Sequence, residues 1–277
     1  MNLPVTVVTV PAADAELGAD RLMQAGAFAI EERAHVGGMV ELWAVLGGSE
    51  ASTAARLGAL PARWSLRTES VDPTPADTWR DHVVPVPIAG DLVVRPAWLP
   101  ARDQDGVTEV AIEPGATFGL GDHPSTRLSA AAVWRMRPAP ARVLDVGTGS
   151  GVLAIIALLA GAKSATAIDI ADVSPAVVTD NATRNGVADR ILASTTPLEE
   201  VYGTFDLVVA NILAPQLIAL AADLRRVTQP GGALIVSGVL AGRYDHVLAA
   251  LAPMQLVGVD ELDGWAALQF SSLPKCQ

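Results

Sequence analysis

Three glycines stand at alternate positions in Val-Leu-Asp-Val-Gly-Thr-Gly-Ser-Gly, residues 143–151, between a branched apolar run and the apolar stretch that begins at Val152. Glycines at that spacing let a strand turn sharply into a helix and let the backbone come close to a ligand. Asp169 lies 22 positions after Gly147, at the end of the next strand candidate. A carboxylate there can accept both hydroxyls of a ribose. That pairing favours a nucleotide-type ligand over simple close packing as the reason for the glycines. Val152 occupies the place where the dinucleotide fingerprint requires its third glycine, and no Gly-Lys-Ser or Gly-Lys-Thr phosphate loop occurs. Asn211 directly follows an apolar strand candidate, at a sheet edge of the kind that binds ligands. Upstream, residues 113–126 form a loop with glycine at 115, 119 and 121, free to wrap closely over a ligand. Ser125 or Thr126 can hydrogen-bond a ligand at the start of the following helix, or simply cap that helix.

From residue 142 onward, strand candidates at 142–147, 164–169, 190–194, 205–211 and 233–239 alternate with helical stretches, which predicts a parallel, doubly wound sheet. Two more strands, 255–260 and 265–270, are separated only by Glu261–Gly264 and are expected to close the sheet as an antiparallel hairpin. The N-terminal part reads differently. Strands at 4–10, 27–34, 39–46 and 63–71, with helices at 13–25 and 50–60, give the order β-α-β-β-α-β of a ferredoxin-like α+β domain. Gly37-Gly38 marks its hairpin. Asp72-Pro73-Thr74-Pro75 interrupts the pattern. The expected organisation is a small domain at 1–71, a proline- and tryptophan-rich linker at 72–100, and the ligand-binding domain at 101–277.

Hydrophobic residues make up 51% of the 277, charged residues 18%, values that exclude a disordered chain. Mean hydropathy is +0.36. The longest apolar stretch, 152–162, falls short of the ~20 residues that span a bilayer. No signal peptide is visible, and the single cysteine, Cys276, excludes an internal disulfide framework and any multi-cysteine metal site. These features lead us to expect a cytoplasmic protein with no membrane partner. The net charge of −11 excludes a generally basic nucleic-acid surface, and the acid is densest in residues 72–114. That segment is either a solvated linker face or an attractor for a basic protein partner.

Asp145-x-Gly147-x-Gly149-x-Gly151 resembles the first motif of class I S-adenosylmethionine-dependent methyltransferases, whose sheet also ends in an antiparallel hairpin. Further motifs narrow the likeness: Arg95-Pro-Ala-Trp98, the Phe118-Gly-x-Gly-x-His123-Pro loop, Asn-Ala-Thr-Arg-Asn-Gly at 181–186, and Ala-Asn-Ile-Leu-Ala at 210–214. With these, nearly the whole chain resembles the PrmA family, bacterial methyltransferases that modify ribosomal protein L11. The resemblance implies S-adenosyl-L-methionine as cofactor and S-adenosyl-L-homocysteine as product. It implies methylation of amino groups of a basic protein substrate, L11, at a lysine side chain or the N-terminal amine, by a monomer whose N-terminal domain recognises that substrate. Thr126, Gly147, Asp169 and Asn211 are then expected to contact the cofactor, joined by Phe118, Asp145, Gly149 and Gly151. Asn211, His123 and Asp122 are the candidates for steering or deprotonating the amine, and no metal is expected. The loop departs from the family pattern at Leu120, Asp122 and Ser125, and Ala171 replaces an acidic residue two places after Asp169. Alternative readings are a diverged relative acting on another protein or a small amine, a non-catalytic S-adenosylmethionine-binding factor, and, more remotely, a nicotinamide-dependent oxidoreductase.

Overall fold

The structure, a computed structural model, describes residues 3–27, 30–46, 50–71, 83–102, 105–114 and 121–272. The chain divides into two compact units, Met1–Val83 and Val84–Gln277.

In the first unit, strands β1 (Leu3–Pro11), β2 (Ile30–His35), β3 (Met39–Ala44) and β4 (Ser65–Val71) form an antiparallel sheet in the order β2-β3-β1-β4. Helices α1 (Ala15–Gln24) and α2 (Glu50–Leu57) complete the β-α-β-β-α-β order, which is the ferredoxin-like arrangement. Alternation along the strands sends Val8, Val10, Val40 and Leu42 into one core with Leu22, Leu57 and Trp64. The opposite parity carries Trp43, whose ring lies 3.9 Å beneath the Arg33 guanidinium, while Glu41 accepts from Trp43 Nε1 (2.9 Å) and pairs with Arg67 (3.1 Å). The hairpin at Gly37-Gly38 is present, with both glycines at positive φ (74° and 73°).

The second unit begins with a three-stranded sheet, β5 (Val86–Ala89), β6 (Leu92–Pro96) and β7 (Thr108–Ile112). Residues 84–100, expected as linker, therefore belong to this unit. The run at 91–95 reads as a strand in the sequence and is β6, whereas Pro87 hides the short edge strand β5, where a missing N–H is tolerated. Helix α3 (Pro124–Arg135) leads into the main sheet of β8 (Arg142–Val146), β9 (Ser164–Ile168), β10 (Ile191–Ser194), β11 (Phe205–Asn211), β12 (Thr228–Leu240), β13 (Gln255–Leu262) and β14 (Trp265–Ser271). Its order is β10-β9-β8-β11-β12-β14-β13, parallel through β12 and antiparallel in the two last strands. This is the doubly wound sheet with a terminal hairpin.

Helices α4 (Val152–Leu159) and α5 (Ser174–Arg184) cover one face with α3; α6 (Ala214–Ala219), α7 (Ala221–Val227) and α8 (Asp245–Leu251) cover the other. The stretch between β11 and β12 is thus two short helices meeting at Leu220. Strand residues divide by parity, Val143, Leu207, Val209 and Ile235 packing on the first face and Leu144, Val208, Leu234 and Val236 on the second. Helix α4, VLAIIALL, is apolar all round and buried for seven of its eight residues, as a helix without a polar face must be. The sheet reverses direction of winding at β8, which pairs with β9 on one side and β11 on the other. A crevice opens beyond the carboxyl ends of strands at such a reversal.

Candidate functional site

The parallel register pairs Ala210 with Val146, so the next residues, Asn211 and Gly147, lie side by side at the carboxyl edge of the sheet. Gly147, Gly149 and Gly151 all adopt positive φ (70°, 54° and 84°), which L side chains rarely adopt. Packing inside the protein explains two of them. A Cβ on Gly147 would come within 2.4 Å of Ile212 Cγ2, and one on Gly151 within 3.1 Å of Val178 Cγ1. Close packing is therefore part of the reason for the glycines. The ligand reading rests on the carboxylates around them.

Asp169 sits at the end of β9, half-buried, where its Oδ2 accepts from Gly149 N–H (2.8 Å) and its Oδ1 from Ala171 N–H (3.0 Å). Each oxygen keeps a lone pair for a ribose hydroxyl. Asp145 lies in β8 beneath the turn and is 1% exposed. Its Oδ2 accepts from Thr148 Oγ1 (2.7 Å) and from Ala154 N–H (3.2 Å), capping α4 from the strand because the cap residue Gly151 has no side chain to do so. Its Oδ1 has no hydrogen-bond partner among the described residues. Burial pushes the Asp145 carboxyl up to about 6, against the two hydrogen bonds that favour its charged form.

Across the crevice, Asn211 Nδ2 donates to Thr126 Oγ1 (3.1 Å), and Thr126 is buried in the first turn of α3. A polar residue at the end of β11 is thus oriented by one at the start of α3. Gly238 makes room for it: φ is +85° at a register shift in β12, and a Cβ there would stand 2.4 Å from the Ile212 carbonyl oxygen. Ile212 is wedged between Gly147 and Gly238, and this holds Asn211 in place.

His123 caps α3, its Nδ1 accepting from Ser125 N–H (3.3 Å) and lying 2.8 Å from Ser125 Oγ. Its ring meets Trp265 edge-on, centroids 4.7 Å apart. Desolvation lowers the His123 pKa, partly opposed by the charge of Asp122, an exposed residue. The structure thus brings Asp145, Gly147, Gly149, Gly151 and Asp169 to one side of the crevice and Asn211, Thr126 and His123 to the other. Phe118 and Leu120 lie outside the described residues. Among the described residues no cluster of His, Cys, Asp or Glu could hold a metal.

Three contributors were not among the site residues expected from the sequence. Trp265 meets His123 from the terminal hairpin. Ser237, fully buried, donates to Ala266 O (2.8 Å) and lies 3.3 Å from Ser125 O. Asn181 binds Glu113 and Ser150, which are far from it in sequence. The repeated asparagine in residues 181–186 was the only available clue, and it gave no partner.

Comparison with known proteins places this architecture. The family model described as ribosomal protein L11 methyltransferase (PrmA) matches residues 62–272. A ribosomal protein L11 methyltransferase of Geobacter sp. (strain M21) is 42% identical over 201 residues, 70% of this chain and 66% of the relative. The match thus spans just under two thirds of that relative's length. One from Sorangium cellulosum (strain So ce56) is 39% identical over 264 residues, 89% of this chain and 82% of its own. Among solved structures, the ribosomal protein L11 methylase of Lactobacillus delbrueckii subsp. bulgaricus superposes with a TM-score of 0.63 at 34% identity, covering 68% of this chain and 98% of that one. With its glycine turn, its Asn211 edge and these matches, the chain belongs to the ribosomal protein L11 methyltransferase (PrmA) family.

Proposed function

We propose that the protein transfers methyl groups from S-adenosyl-L-methionine to amino groups of ribosomal protein L11. The observation that carries this reading is Asn211: Thr126 holds its amide nitrogen, and its Oδ1, with no hydrogen bond among the described residues, is left to accept from an amine N–H beside the glycine turn. The residues around the turn suit the cofactor. Asp169 can take the ribose hydroxyls, and the orphaned Asp145 Oδ1 supplies negative charge beneath a ligand that carries positive charge. Bound there, S-adenosylmethionine supplies a methyl group already activated on a sulfonium.

The chain's own residues then have two tasks. They must align the nucleophile in the crevice, where orientation supplies most of the acceleration. They must also favour the neutral amine, since a free lysine holds its proton to about 10.4. Desolvation in the crevice lowers that value. His123 contributes by donation: its Nδ1 accepts from Ser125 N–H, so the neutral ring carries its proton on Nε2. In that tautomer it orients a partner and takes up no proton at Nε2. His123 is therefore proposed as an orienting donor, and Asp122 as a surface charge that attracts a basic substrate. Among the described residues no helix is long and apolar enough to cross a membrane.

Incubation with S-adenosylmethionine and purified L11, read by intact mass, tests the proposal. Gains in steps of one methyl group are expected. Cofactor binding by calorimetry without any mass gain would overturn the substrate and leave a binding factor or an enzyme for another amine.

A further inference from the structure

Asn181 is fully buried in α5 and divides its amide between two distant segments. Its Oδ1 accepts from Glu113 N–H (2.9 Å), and its Nδ2 donates to Glu113 O (2.9 Å) and to Ser150 O (2.9 Å). One helical turn on, Asn185 makes the same two-way pairing with Ala111, through N–H (2.9 Å) and C=O (2.8 Å). A side-chain amide offers the donor and acceptor of a peptide group, so each asparagine pairs with a backbone position as a neighbouring strand would. The spacings agree: four residues of helix advance about 6 Å and two residues of a parallel strand about 6.6 Å. The two asparagines thus read β7 and the residue after it.

Only Asn181 also reaches the glycine turn. Ser150 is fully buried, and its carbonyl belongs to the peptide whose N–H, on Gly151, donates to Thr148 O (2.9 Å). Gly151 follows at φ +84°, so local sterics do little to stop that peptide from rotating. The bond from Asn181 holds its carbonyl end.

We propose that Asn181 is a positioning residue for the cofactor site, fixing the Ser150–Gly151 peptide and fastening the glycine turn to the three-stranded sheet through Glu113. The proposal rests on the reading that the turn binds S-adenosylmethionine. Asn185 makes the same seam with β7 and has no bond to the turn, so it is the internal control for loss of packing.

The test is calorimetric titration of S-adenosylmethionine into the full-length protein and its Asn181→Ala and Asn185→Ala variants, with melting curves and steady-state rates. Asn181→Ala is expected to weaken cofactor binding about tenfold, the equivalent of one net hydrogen bond. KM for the cofactor should rise in step, with kcat at saturation held within about twofold, because the reacting groups are untouched. Asn185→Ala is expected to lower the melting temperature and leave cofactor affinity within about threefold of wild type. If Asn181→Ala does not fold, Asn181→Ser serves: its shorter neutral side chain cannot span Glu113 and Ser150 together, and the same weakening is expected. Wild-type affinity in a folded Asn181 variant, or equal weakening in Asn185→Ala, would overturn the inference. Failure of the wild-type protein itself to bind the cofactor would instead overturn the reading beneath it.

Discussion

Replacing Asp145 by asparagine tests how the glycine turn is supported from below. The buried carboxyl titrates near 6 in the folded protein, against 3.8 when free, because burial penalises its charged form. The folded state therefore holds the proton more tightly, and between those two values it binds more protons than the unfolded chain. Stability contributed at this site is highest in acid and declines as pH rises through the window. The whole decline amounts to about 3 kcal/mol, of which about 2 kcal/mol falls between about pH 4 and about pH 7. In Asp145→Asn the amide oxygen can still accept from Thr148 Oγ1 and Ala154 N–H. Its NH2 then occupies the place of the partnerless Oδ1, a cost of about 1–3 kcal/mol that does not vary with pH. The variant should be the less stable protein near pH 4 and should draw level with wild type or pass it by pH 7. Urea unfolding of both proteins across that range, followed by tryptophan fluorescence, gives the difference directly. Other shifted carboxylates, Asp20 and Glu32 upward and Asp14, Glu41 and Asp91 downward, slope identically in the two proteins and cancel. A difference curve flat to within about 0.5 kcal/mol would refute the reasoning, since the carboxyl would then titrate as if exposed.

Other substitutions probe both walls of the crevice. Gly147→Ala should abolish measurable cofactor binding, and adding Ile212→Ala should restore only part of it, because the side-chain clash is relieved while about 1–2 kcal/mol of left-handed backbone strain remains; calorimetry on the single and double variants decides this. Asn211→Ala is expected to lower kcat about a hundredfold through misorientation of the amine, with cofactor affinity changed far less, as read from initial rates with labelled methyl donor. Asp169→Ala removes the acceptor for Gly149 N–H together with the proposed ribose contact and should weaken the cofactor about a hundredfold or more, an equilibrium titration being sufficient to check it.

The main sheet was legible because its strands are apolar runs separated by amphipathic or wholly apolar helices, and because the Asp145–Gly151 turn has a distinctive spacing. The ferredoxin-like order was equally plain from β-branched alternation. The segment from 84 to 100 was legible only in part: the run at 91–95 reads as a strand and is β6, but β5 is four residues long and contains Pro87, so composition pointed to a linker. The glycines were read as a ligand feature, whereas Gly147 and Gly151 also answer to Ile212 and Val178, partners 65 and 27 positions away. Long-range pairing leaves no periodic trace. For the same reason Asn181, Ser237 and Trp265 entered the site only when the fold brought Glu113, Ser125 and His123 to them.

The seat of Ile212 has a consequence for synthesis. One side of it is Gly147, just after the first strand of the main sheet to be made, and the other is Gly238, in the fifth. Ser237 beside it is tied to Ala266, near the end of the described chain. A nascent chain that has released β8, β9 and β11 therefore has its glycine turn but lacks the floor under Asn211. The wall of the crevice that carries Asn211 is thus completed last, once β12 and the terminal hairpin have been made.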